Sequence, residues 1–363
     1  MEIQAAILRE TAEPYRIEAV ELEAPRANEV LVRIVGTGIC HTDVKMQNGY
    51  REMPLPVVLR HEGAGVVEAI GVAVSKVQVG DHVVLSFNSC GLCANCQSGQ
   101  PAYCHEVAPL SFSCKRPADG SSPLSQKGQV VHGYFFGQSS FASCAIATER
   151  NVVKVRQDAP LEILGPLGCG LQTGAGAVLN ALEAEAGSSI VIFGTGSVGL
   201  SAIMAAGIAG CITIVGVDLN EARLTLAQEL GATHTINPAN TEDVVGRIST
   251  ICGGGAHYSV DTTGHPNVLR QAVECLRILG VCGHVGGGGA DVSIPMGHLL
   301  FGRTIWGIIQ GSSIPDIFIP RLIDLHLSGR FPFDRLISFY DLADINQAVA
   351  DMHAGKAIKP IVR

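Results

Sequence analysis

Apolar positions along the chain change their period near residue 165. Up to about residue 160 they come as short β-branched runs closed by glycine. "EVLVRIVGTG" (29–38), "GAGVVEAIG" (63–71) and "VQVGDHVVLSF" (77–87) are examples, and they predict an irregular, mostly β domain. Residues 105 to 140 are rich in Ser, Pro, Gly and Gln and read as a long surface excursion. From 189 the pattern alternates. "SIVIFG" reads as a strand and "SVGLSAIMAAGIAG" as a helix, followed by "ITIVGVD", the helical "NEARLTLAQELGA" and the short strand "THTIN". "EDVVGRISTIC" then precedes "YSVDTT", and the helical "NVLRQAVECLRILG" precedes "VCGHVG". Strands alternating with helices predict an α/β domain with a parallel sheet and crossover helices.

A chain of 363 residues is long for one core, so two domains are expected. With 47% hydrophobic and 16% charged residues it is a well-packed globular protein. A net charge of -8 speaks against nucleic-acid binding, which needs a basic face. "MEIQAAILRE" carries no apolar segment of signal-peptide length, and no run is long enough to span a bilayer. A soluble, cytoplasmic protein without membrane partners is expected. In that compartment the twelve cysteines read as thiols or metal ligands.

The loop "GTGSVG" places Gly194, Gly196 and Gly199 between a predicted strand and a predicted helix. Such a loop makes a tight turn, lets the backbone approach a pyrophosphate, and packs helix closely on strand. The next strand ends in Asp218, whose carboxylate can accept from both ribose hydroxyls and would repel a 2′-phosphate, so NAD is favoured over NADP. A glycine turn followed by a helix-capping Asp is the alternative. Arg223 follows as a possible neighbour of the adenosine ribose, or as a solvated helix arginine.

"CGLCANCQSGQPAYC" sets Cys90, Cys93, Cys96 and Cys104 in a glycine-containing loop that can close a tetrahedral, structural zinc shell. An iron–sulfur cluster is the other reading, and the lack of a following Pro and of a second cluster motif favours zinc. Cys40 in "GICHTDVK", His61 in "LRHEGAG" and Cys169 in "PLGCGLQTG" make a Cys₂His set with an open fourth position. Taken singly, each could be an ordinary core residue.

These motifs together resemble the zinc-dependent, medium-chain alcohol dehydrogenases over essentially the whole chain, nearest the bacterial NAD-dependent aryl-alcohol (benzyl-alcohol) dehydrogenases. The resemblance implies a GroES-like catalytic domain at 1–170 and 309–363, and a doubly wound Rossmann domain at 171–308. It implies two zinc ions per chain. One is catalytic, on Cys40, His61 and Cys169, with Glu62 close behind in the same metal group; the other is structural. It implies that Asp43 orients His61, that Thr42 accepts the alcohol proton, and that Lys45 stands where relatives carry a proton-releasing histidine. His41 falls on a pyrophosphate contact, and a histidine there suggests faster NADH release. Thr173 falls on a nicotinamide contact, Val198 behind the nicotinamide ring and Lys359 on the pyrophosphate. Phe87, Ile309 and Tyr50 are pocket candidates, each equally open to core packing. Arg60 replaces the family's usual glycine. The expected activity is reversible oxidation of benzyl-type primary alcohols. A glutathione-dependent formaldehyde dehydrogenase, with Lys115 and Arg116 as candidate cations for the adduct, and a terpenoid or allylic alcohol dehydrogenase are the alternatives. Relatives pair through the cofactor domain, so a homodimer or homotetramer is expected, with "IWGIIQG" (305–311) at a sheet edge.

Overall fold

A computed structural model describes all residues, Met1–Arg363. The chain forms two compact units: Met1–Gly170 with Ile314–Leu327 and Asp334–Arg363, and Leu171–Ser313 with Ser328–Phe333. No helix is long and apolar enough to cross a membrane.

The first unit is built on two sheets. One runs Val57–Val58, Glu2–Leu8, Arg16–Leu22, Leu124–Gln126, Gln129–Val131. The other runs Val152–Val155, His82–Leu85, Gly63–Ile70, Glu29–Gly38, Lys359–Val362, Ile337–Tyr340. Glu29–Gly38 is the hub, because Gly63–Ile70, Cys144–Thr148 and Lys359–Val362 all pair with it. Its apolar residues Val30 and Val32 pack with Val67, Val83 and Leu85, as β-branched side chains on a half-buried pleat do. Gly65 is required opposite this strand, since a Cβ there would lie 2.0 Å from the Arg33 carbonyl. The last strand registers Ile361 on Gly38 and Val362 on Thr37, which carries Lys359 into the middle of the unit.

The segment 105–140 is not a loose excursion. It holds a helix Val107–Phe112 and a hairpin Leu124–Gln126/Gln129–Val131, and it buries Tyr134, Phe135 and Phe136 in the main core. Arg116 anchors it. Its guanidinium donates from Nε and Nη2 to Glu29 at 2.7 and 3.0 Å and from Nη1 to Glu23 at 2.6 Å, while the Tyr134 hydroxyl donates to the same Glu29 at 3.1 Å. Polar composition concealed a segment whose cation is satisfied internally.

The second unit carries a six-stranded, wholly parallel sheet in the order His234–Ile236, Thr213–Val217, Ser189–Phe193, Ala256–Asp261, Leu276–His284, Thr304–Gly307. In chain order this is 3-2-1-4-5-6, the doubly wound Rossmann order, with its switch point between the first and fourth strands. The "LRILG" expected to end a helix belongs instead to the fifth strand. The helix Pro266–Glu274 stops at its cap Cys275, and Leu276 is already the partner of Ala256. Thr304–Gly307 pairs only with Leu276–His284 and leaves Ile305 and Trp306 exposed at the sheet edge.

Arg116→Ala strands the buried Glu29 carboxylate, so it will lower unfolding stability by about 3 kcal/mol in urea titrations. Arg116→Lys, which keeps the charge, will lose less.

Candidate metal centres and cofactor loop

The four-cysteine lobe is held by its own backbone. Leu92 N and Cys93 N donate to Cys90 Sγ at 3.4 and 3.3 Å, and Cys90 N and Glu106 N to Cys104 Sγ at 3.2 and 3.4 Å. Such bonds stabilise thiolates. Backbone N–H groups of His105 and Cys96 lower Cys93 to about 6, while burial pushes Cys104 up to about 12. All four sulfurs lie within 4.8 Å of one another, with Cys90–Cys96 and Cys93–Cys104 each at 4.0 Å. A tetrahedron with Zn–S bonds of about 2.3 Å has edges of about 3.8 Å, so the cage fits zinc and leaves no open position.

The second centre draws on three places in the first unit. Cys40 precedes the short helix His41–Gln47, His61 and Glu62 lie just before the strand Gly63–Ile70, and Cys169 follows the turn Gly165–Gly168. Their donor atoms also lie within 4.8 Å of one another. His61 is buried, with Nδ1 3.0 Å from Asp43 Oδ1 and with Nε2 lacking any hydrogen-bond partner. A buried imidazole nitrogen beside two cysteine sulfurs, with no other partner, fits a metal ligand. Burial alone would lower His61, but the Asp43 carboxylate and Cys40 outweigh it and raise the imidazole to about 9. The same carboxylate makes Nε2 a stronger electron-pair donor. The hydrogen bond from Cys169 lowers Cys40 well below the usual thiol value against burial, helped by His61 and Lys359; that bond and burial push Cys169 up.

Around this centre, Thr42 Oγ1 is 3.8 Å from Cys40 Sγ, and Asp43 Oδ2 caps the Cys40 N–H at 3.3 Å. Arg60 is fully buried at φ +100, and its guanidinium joins Asp43 and Glu62. Lys359 lies beside the same Glu62 carboxylate. Its ammonium is 1% exposed and donates to Glu62 and to the Ile39 carbonyl, so it neutralises a carboxylate inside the unit. Lys45 is exposed, with Nζ 5.7 Å from the centre of the Tyr50 ring. His41 is exposed 6.4 Å from the ring of His353. Phe87 belongs to the buried core, while Tyr50 and Ile309 are exposed. The rings that do reach the centre went unassigned in the sequence. Phe136 stacks on His61 at 4.4 Å, Phe135 meets it edge-on at 5.8 Å, and Phe112 packs on Phe136 at 5.2 Å. The aromatic pair in "GYFFG" was the only signal for Phe135 and Phe136, and Phe112 had none.

In the second unit the glycine loop has the expected division of labour. Gly194 takes φ +85 after the first strand, and Gly196 faces open space before the helix Ser197–Ala209. A Cβ on Gly199 would lie 1.8 Å from the Gly194 carbonyl. Asp218 Oδ2 accepts from Thr195 N at 2.6 Å, which ties the end of the second strand to the loop. Arg223 caps onto Asn220 through its backbone N–H and keeps a buried Nε without a partner. Gly174, next to Thr173, packs its backbone directly on the Val198 carbonyl. An open backbone at a helix start with a carboxylate across from it fits a dinucleotide.

The alcohol dehydrogenase GroES-like domain model matches residues 26–157, and the zinc-binding dehydrogenase model matches 197–326. Geraniol dehydrogenase of Castellaniella defragrans is 46% identical over 362 residues, 99% of this chain and 97% of that one. The S-(hydroxymethyl)glutathione dehydrogenase of Paracoccus denitrificans is 36% identical over 378 residues, the full length of both. The crystal structure of benzyl alcohol dehydrogenase from Acinetobacter calcoaceticus superimposes with a TM-score of 0.96 at 45% identity, covering 100% of this chain and 99% of that one. The chain belongs to the zinc-dependent medium-chain alcohol dehydrogenases.

Metal analysis of the purified chain will find two zinc ions per polypeptide. Cys93→Ser will retain one and lower the thermal midpoint, whereas Cys169→Ser will retain one and abolish alcohol oxidation with little change in that midpoint.

Proposed function

We propose that the chain oxidises primary aromatic alcohols of benzyl type to aldehydes with NAD+, reversibly. The observation that carries this reading is the apolar, aromatic surround of the metal-site histidine, on which Phe136 stacks and which Phe135 meets edge-on within the core. An apolar, aromatic environment at the metal favours a carbinol that carries a ring over a small polar one. The 45% identity to a benzyl alcohol dehydrogenase supports it.

When bound, zinc supplies the Lewis acidity that lowers the alcohol's pKa, and NAD+ supplies the hydride acceptor. The chain's own part is positioning and proton handling. Cys40, Cys169 and His61 would hold the metal, and Asp43, on Nδ1 of His61, leaves Nε2 toward the sulfurs. The Thr42 hydroxyl, beside Cys40, takes the alcohol proton. Lys45, three residues on and exposed, is the group through which the proton leaves. Asp218, held on the glycine loop by Thr195 N–H, selects a free ribose hydroxyl and hence NAD over NADP. We further infer a homo-oligomer paired along the exposed edge strand Thr304–Gly307, in the cytoplasm.

A second reading has its own support: the 46% identity to geraniol dehydrogenase favours an allylic alcohol. Benzylic and allylic carbinols share an unsaturated carbon next to the reacting C–H, so one apolar, aromatic wall serves either. The glutathione-adduct reading is weaker. Arg116, a candidate partner for the adduct's carboxylates, is already engaged by Glu23 and Glu29, leaving only Lys115 exposed.

Steady-state kcat/KM will be high for benzyl alcohol and geraniol and far lower for S-hydroxymethylglutathione; the reverse ranking would sink the proposal. Lys45→Ala will shift the pH–rate profile for alcohol oxidation while leaving zinc content intact. An unchanged profile and kcat would remove Lys45 from the proton path.

A further inference from the structure

Four donors, not three, converge on the catalytic centre, because the Glu62 carboxylate lies within the same 4.8 Å group as Cys40, His61 and Cys169. A metal that took all four would have a closed shell, and a closed shell has no position for an alcohol. Something must hold Glu62 back. Its Oε2 is 2.6 Å from Arg60 Nη2 and 2.8 Å from Lys359 Nζ, and its Oε1 is 2.9 Å from Lys359 Nζ and 3.3 Å from Gly170 N. Both oxygens are therefore occupied by donors that the chain itself supplies.

We propose that Arg60 is a positioning residue which, with Lys359, clasps Glu62 off the metal and so keeps the fourth coordination position open. Three further observations carry the assignment. The same guanidinium pairs through Nη1 with Asp43 Oδ2, while Asp43 Oδ1 holds His61. One planar fork thus fixes the carboxylate behind the ligand histidine and the carboxylate that must stay off the metal. The charges also match: two buried carboxylates face two buried cations, and two thiolates face the dication. Moving Glu62 to the metal would leave Arg60 and Lys359 undercompensated in a site from which water is excluded. Finally, Arg60 sits at φ +100, where glycine rests without strain and arginine does not. Its guanidinium is fixed at Asp43 and Glu62, reaches Thr37 Oγ1 at 3.3 Å and lies 5.3 Å from the Phe141 ring, so side-chain contacts hold arginine in that backbone. Gly38 leaves just enough room, since a Cβ there would lie 2.4 Å from Glu62 Oε2.

The inference rests on the metal centre, not on the substrate, and its test needs neither alcohol nor NAD. Enzyme carrying Co2+ in the catalytic site and Zn2+ in the four-cysteine lobe is titrated with imidazole, and the visible bands of Co2+ are followed. Arg60→Gly, which suits the backbone, will shift the bands and weaken imidazole binding about tenfold or more as Glu62 closes the shell. Adding Glu62→Gln to Arg60→Gly will restore the parental bands and affinity, and Arg60→Lys will restore them in part. Arg60→Gly with parental bands and parental imidazole affinity overturns the proposal. Glu62→Gln alone is an independent arm should Arg60→Gly fail to fold. Unchanged bands support the clasp, and changed bands show that Glu62 was already a ligand and overturn it. Failure to take up Co2+ beyond the four-cysteine lobe would overturn the metal centre itself, an outcome separate from any result on alcohol specificity.

Discussion

Charge balance in a space closed to water is the constraint on which the first unit turns. Asp43, Arg60, Glu62 and Lys359 are each at most 1% exposed, and none of them is tolerable there alone. Each carboxylate has a cation, and each cation reaches a carboxylate that a neighbour also needs. His61 is oriented because Asp43 is held, and Asp43 is held because Arg60 is fixed at its other end by Glu62. The metal ligands are the visible part of this arrangement. Removing one charge would disturb the geometry of all of them before it removed a ligand.

The second unit solves a different problem with backbone alone. A dinucleotide needs a positive helix end, an unobstructed approach and a carboxylate at ribose distance. Here Gly194 and Gly196 leave the helix start open and Asp218 is tied to the same loop by a main-chain N–H, without a buried charge network. The two chemistries are therefore built by opposite means: a crowded, fully paired interior for the metal, and an open main-chain turn for the cofactor.

This difference explains what the sequence disclosed. The glycine loop and the four-cysteine lobe are local, so their spacing in the chain is nearly their geometry in space. The Cys40, His61 and Cys169 set was legible because its residue types are rare in combination. Arg60 stood out as the wrong residue in a familiar place, but its role depends on Asp43, Glu62 and Gly38, which spacing does not bring together. The contact of Lys359 with Glu62 was hidden for the same reason: only the pairing of Ile361 with Gly38 brings that side chain to the carboxylate. Phe135 and Phe136 lay in a segment whose polar composition suggested solvent, whereas Arg116 and Glu29 fasten it to the core. The helix–strand boundary near Cys275 was blurred because one apolar run serves both elements.

The strand Lys359–Val362 closes beside Glu29–Gly38 and brings Lys359 to Glu62 across nearly the whole chain. During synthesis, every metal donor has left the ribosome long before residue 359 is made. For that interval a nascent chain can gather its thiolates and imidazole while Glu62 still lacks one of its two restraining cations. The working site is therefore complete only once this strand has paired with Glu29–Gly38.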